Sequence, residues 1–141
     1  MWRPGRPRVG FVFDRIEISV LPAGSRFPAQ LRVRVNGEDV VVQAVGHEVR
    51  GPLASDALLI GSPNSLHATS EERRVELGEP ECTGGCCGFL TVVVQRVGGI
   101  VQWSGWQVPS GGTQPPEFHF DASQYDAELC RDAIAVTRSR P

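Results

Sequence analysis

The sequence predicts an α+β domain, a mainly antiparallel twisted sheet built from hairpins and packed by a C-terminal helix. Three observations predict it. Short apolar runs alternate with polar residues at a period of two, as half-buried strands do. Two such runs are split by Asn36-Gly37 and Gly98-Gly99, dipeptides suited to two-residue hairpin turns. One late segment changes to helical spacing behind a capping residue.

In the first strand, over residues 9–21, Val12, Ile16, Ile18 and Val20 share one parity and Arg15, Glu17 and Ser19 the other. Asp14 breaks the apolar parity and marks a bulge or a late start. Residues 22–28, with a proline at each end, form a turn region. Residues 31–45 make the first hairpin. Closing the turn at Asn36-Gly37 pairs Val35 with Glu38, Arg34 with Asp39, Val33 with Val40 and Leu31 with Val42. Residues 53–60 suit either two helical turns or a short strand, and Gly61-Ser62-Pro63-Asn64 is a turn in both cases. A short strand at residues 73–77 points Val75 and Leu77 inward.

The second hairpin covers residues 89–97 and 100–108. Its turn pairs Val97 with Ile100, Arg96 with Val101 and Val94 with Trp103. Leu90, Val92, Val94, Val101 and Trp103 then form one core stripe. Phe89, Val93, Trp106 and Val108 lie on a half-polar face, unless a bulge at Gly105 re-aims Trp106. Phe118-His119-Phe120 is a final short strand. Asp121 caps a helix from Ala122, with Gln124 placed for a capping box and Phe120 and Tyr125 for a hydrophobic staple. Tyr125, Leu129, Ala133 and Val136 are its apolar stripe.

The chain of 141 residues fits one domain. Residues 1–8 form a basic tail, 9–137 the domain and 138–141 a frayed end. The formal net charge of −2 lacks the basic excess of a dedicated nucleic-acid binder. The basic residues gather only at Arg3, Arg6 and Arg8. No run reaches the length of a membrane span, and no signal-peptide pattern occurs, so the expected setting is the cytoplasm.

The chemically unusual feature is a cysteine cluster, Cys82, Cys86 and Cys87, spaced by glycines ahead of the second hairpin. Zinc takes about four soft ligands in a tetrahedron. The three cysteines, completed by Cys130 or His119, provide such a set. A disulfide from Cys82 to Cys86 or Cys87, and unlinked thiols with Cys87 in the core, are the other open readings, the unlinked thiols foremost. A nucleophilic thiol needs a neighbour that lowers its pKa, whereas Glu79 and Glu81 act the other way. His47 and His67 are remote in sequence. Phosphate-loop spacing and placed acid–base pairs do not occur.

Residues 71–81 carry five glutamates against Arg73 and Arg74, so this acidic edge, with Glu79 and Glu81, suits a basic partner. An exposed Trp106 would add an aromatic anchor. Three segments resemble a group of small actinobacterial proteins with no established activity: CTGGCCGFLTVVV, VQWSGW and FHFDASQYDAEL. The resemblance implies that Cys82, Cys86, Cys87, Trp103, Phe118, Phe120, Asp121 and Tyr125 belong to a shared design. These observations lead to a non-enzymatic protein-interaction module, an adaptor or immunity-type inhibitor, as the expected function. The alternatives are a metal- or thiol-dependent enzyme and a small-ligand binder using the concave sheet.

Overall fold

The computed structural model describes residues 13–24, 28–46, 49–80 and 88–138, with the side chains of the last helix described as far as Arg131. Over them the chain has the α+β fold that the alternation and the turns predict. The tail at 1–8 and the chain end at 139–141 lie outside these residues.

Strand β1 (Ile16–Leu21) pairs antiparallel with β2 (Gln30–Val35), and its buried Ile16 and Ile18 alternate with exposed Glu17 and Ser19. The strand begins later than the alternation suggests. Asp14 instead makes an isolated parallel bridge to Phe120, and residues 9–12 fall outside the described part.

The first hairpin turns at Asn36 and Gly37, both at positive φ (55° and 85°), the pattern of a type I′ turn. Val35 faces Glu38 and Arg34 faces Asp39, as expected. The expected pairs Val33–Val40 and Leu31–Val42 do not form. Strand β3 is only Glu38–Asp39, and helix α1 (Val40–Val45) follows directly. Asp39 is the reason on the local side. Its Oδ1 accepts from the backbone N–H of Val41 and Val42, at 3.1 and 3.0 Å, and so caps a helix that β-branched residues do not favour. Val40, Val41 and Ala44 are buried by that turn of chain.

The place beside β2 is taken by a later segment. After β4 (Val49–Arg50), Leu53 bridges to Gln30, Leu31 N–H donates to the Pro52 carbonyl, and Ala54 N–H donates to the Ala29 carbonyl. Gly51 permits this approach, because a Cβ there would collide with the Leu31 carbonyl. One helical turn, α2 (Ala54–Ala57), succeeds it, which resolves the ambiguity at residues 53–60.

Strand β5 (Arg73–Pro80) runs further than the expected short strand and buries Val75 and Leu77. The β5–β6 register shifts between Glu76 and Gly78, and β4 pairs with β5 just beyond it, at Glu79 and Pro80. A Cβ on Gly78 would lie 2.5 Å from the Arg50 carbonyl and 2.7 Å from Val41 Cγ1. The second hairpin, β6 (Leu90–Val97) and β7 (Ile100–Gln107), has the predicted register, and Leu90, Val92, Val94, Val101 and Trp103 are all buried. Strand β8 (Phe118–Asp121) completes a five-stranded sheet in the order β4-β5-β6-β7-β8, beside a three-stranded sheet β1-β2-β3.

The division into two sheets is a departure from the single sheet predicted. The Asp14–Phe120 and Gln30–Leu53 bridges join the sheets at both ends. The strands therefore follow one another around a nearly closed ring, and the seam between β8 and β1 is where α3 (Ala122–Arg138) packs. Closing a sheet on itself removes open edges.

At that seam, helix side chains stand in for a neighbouring strand. Gln124 Nε2 donates to the Ile16 carbonyl at 2.7 Å, and its Oε1 accepts from Ile16 N–H at 3.2 Å. Glu128 Oε2 accepts from Ile18 N–H at 2.8 Å, and Arg131 donates both to that carboxylate and to the Ile18 carbonyl. Residues four apart lie one above the other on a helix and two apart lie on one edge of a strand, so the two spacings match. Asp121 does cap α3, accepting from Gln124 N–H at 3.1 Å. The reciprocal half of the capping box is absent because the Gln124 side chain is engaged on Ile16.

Candidate functional site

The predicted cysteine site lies largely outside the described residues. Cys82, Cys86, Cys87 and Glu81 fall in residues 81–87, and His47 is also outside. Cys130, expected at the edge of the core stripe or as a fourth ligand, is an exposed free thiol on α3. Its position follows from helical spacing, since adjacent Leu129 and Glu128 face inward. Among the described residues, no group of three or more His, Cys, Asp or Glu side chains is placed to hold a metal ion. His119 lies partly exposed, with Nε2 3.7 Å from Glu117. His67 Nε2 lies 3.2 Å from the Leu58 carbonyl.

Trp106 is not the exposed anchor that its strand parity allows. Gly105 adopts a positive φ of 61° at the register shift between β6 and β7, and the bulge turns the next side chain inward. The Trp106 ring is 7% exposed and packs edge-on against Trp103 and Phe118. Its Nε1–H donates to the Pro116 carbonyl at 2.9 Å. An aromatic cluster of Trp103, Phe120 and Tyr125 continues inward, and each well-oriented pair adds about 1 kcal/mol beyond burial. Tyr125 is wholly buried. Its hydroxyl donates to the Leu66 carbonyl at 2.5 Å and accepts from Trp103 Nε1–H at 3.2 Å. Burial pushes its ionisation well above the ordinary phenol range, so it is a structural tie.

The predicted acidic edge leads to a different feature, a groove of about 330 Å³ on the flank of β5 beyond its two-residue pairing with β4. Five separate parts of the chain build it, one of them Asn64 in the loop after α2. Gln30 comes from the start of β2, Arg50 to Leu53 from the connection between β4 and α2, and Glu76 to Glu79 from β5. Phe89, just before β6, completes the lining. The groove exists because the chain leaves β5 after Arg50 and crosses to β2, so the two strands splay.

Its lining has two characters. Leu53 and Phe89 are apolar and 42% and 43% exposed. Around them stand Gln30, Asn64 and the charged groups Arg50, Asp56, Glu76 and Glu79. Arg50 lies 3.8 Å from Glu79, a partly exposed pair worth little to stability. Gln30 is already engaged through Gly51 N–H, and Asn64 Oδ1 accepts from Glu76 N–H. Asp56 and Glu76 make no side-chain ion pair among the described residues.

Glu79 is thus the one residue of the predicted interaction set that the described residues place in the groove. Leu53, Asp56 and Phe89 were missed. The available signals were an apolar residue behind Gly51-Pro52 and a phenylalanine off the parity of the β6 core stripe. No protein-family model matches this chain, and no curated protein and no solved structure matches it. No helix among the described residues is long and apolar enough to cross a membrane.

Proposed function

We propose that this domain is a non-enzymatic protein-binding module whose groove beside β5 receives a segment of a partner protein. One observation carries the reading: Leu53 and Phe89 stay half-exposed at the rim of a formed groove, flanked by charged groups rather than covered by the fold. Binding sites commonly join an apolar surface to a few placed polar groups. The described lining offers carboxylates, carboxamides and one guanidinium, a set suited to holding a ligand. The exposed thiol of Cys130 suits a reducing setting such as the cytoplasm.

The test compares native-lysate pull-downs with wild type and the Leu53→Ser/Phe89→Ser variant. The reading expects a partner retained by wild type and lost by the variant at unchanged thermal midpoint. An identical set of proteins on both would reject it. The volume of the groove supports a second reading, a small organic ligand, since such sites start near about 300 Å³. Binding that survives protein-free extraction and shifts the thermal midpoint would favour that second reading.

A further inference from the structure

The groove is chemically two-sided in the same sense as one class of side chain. Arginine and lysine carry an apolar stem and a cationic head, and they bury the stem along apolar surface while the head stays polar. The groove presents Leu53 and Phe89 on its rim and the carboxylates of Asp56, Glu76 and Glu79 around them. Among the described residues, three carboxylates against the guanidinium of Arg50 leave an excess of two negative charges in the lining. Arg50 lies 3.8 Å from Glu79, while Asp56 and Glu76 make no side-chain ion pair among the described residues.

A bare metal ion does not fit this arrangement. A divalent cation needs its ligands gathered on one point. The described residues hold no such gathering. The acids instead share the lining of one groove with the half-exposed Leu53 and Phe89, which suits an amphipathic occupant.

We propose that the groove receives a long basic side chain, Arg or Lys, presented beside an apolar residue on a segment of a partner protein. The inference rests on the binding-module reading and adds the chemistry of the occupant. The stem lies along Leu53, the cationic head sits toward Asp56 and Glu76, and the Phe89 ring face attracts the cation as well. Glu79, beside Arg50, adds to the negative charge that disfavours an acidic segment.

The probe is a random peptide library displayed on phage and selected on the intact chain. Enriched peptides should carry Arg or Lys next to an apolar residue. A synthetic copy of the best peptide should lose about tenfold or more in affinity with Asp56→Asn/Glu76→Gln, at unchanged thermal midpoint. Replacing its basic residue with Gln should cause a similar loss, and binding should weaken as salt rises. Enriched peptides without a basic bias, or equal binding to Asp56→Asn/Glu76→Gln, would overturn the proposal.

If Leu53→Ser/Phe89→Ser abolishes binding while the charge-neutralised variant does not, the binding module stands and the basic occupant falls. No enrichment at all removes both. Two further outcomes reassign the groove and overturn the partner proposal. One is a dimer that dissociates on Asp56→Asn/Glu76→Gln, which seats a second copy there. The other is peptide affinity that rises about tenfold on Arg3→Gln/Arg6→Gln/Arg8→Gln, which seats the chain's own basic segment there.

Discussion

The two hairpins share a turn chemistry and part company within two residues of it. At Asn36-Gly37 both turn residues take positive φ, and the arm leaving the turn pairs twice before becoming α1. At Gly98-Gly99 only Gly98 does, the type II′ pattern, and the arm continues for eight residues of β7. Both exits are rich in apolar residues. The difference lies in what competes for the strand beside them. β6 has the whole length of β7 available, whereas the flank of β2 is claimed at its far end by residues 52–54. Asp39 then converts a blocked strand into a capped helix.

The strongest way to break this comparison is Gly51→Ala. The added Cβ meets the Leu31 carbonyl, so the later segment can no longer lie against β2. The expected loss is about 3 kcal/mol or more in chemical denaturation. If the loss were negligible, the claim that residues 52–54 displace the hairpin arm would be wrong.

Next comes Tyr125→Phe, which tests the hub beneath the second hairpin. It strands the Leu66 carbonyl and the Trp103 indole N–H and should cost about 2 kcal/mol. The same residue gives a pH prediction. Its folded pKa is raised above the unfolded value near 10 by burial. The stabilisation is therefore fully present below about pH 10 and is lost as pH rises beyond it. Tyr125 is the only tyrosine in the chain, so its ultraviolet ionisation signal should appear together with alkaline unfolding. Ionisation well before loss of circular dichroism would contradict its buried position.

Smaller effects sharpen the turns. Gly37→Ala and Gly98→Ala each force a Cβ into positive φ and should each cost about 1 kcal/mol by thermal denaturation. Asp39→Ala should also cost about 1 kcal/mol, from the lost cap. Amide hydrogen exchange should then rise in α1 while β6 and β7 stay protected. Equal acceleration in both hairpins would mean that α1 is not an independent local feature.

Much of the fold was legible because its determinants are local. The register of β6 and β7 follows from one dipeptide and the parity on either side of it. Asp121 and the Phe120–Tyr125 contact follow from positions that any capped helix provides. Asp39 pairs with Arg34 as expected, but the strand beyond it was misread, because the same aspartate also serves as a helix cap. Gln124 was half misread, since its backbone position was clear while its side chain found a partner 108 residues away. Glu128 carries no local sign of burial, yet the residue is buried and Ile18 N–H and Arg131 engage its carboxylate.

The groove was legible only in one acidic residue, Glu79. Its walls come from segments near residues 30, 50–56, 64, 76–79 and 89, and no periodicity connects them. By itself the sequence determined strands, turns, capped helix and core stripes, since neighbouring residues decide backbone preference and hydrophobic alternation decides a face. Tertiary structure alone decided which segment lies beside β2, and hence where the sheet splays. That choice depends on Gly51 admitting a backbone contact about twenty residues distant in the chain, to Leu31. The open flank of β5, with Leu53, Asp56, Glu76 and Phe89 around it, is its consequence.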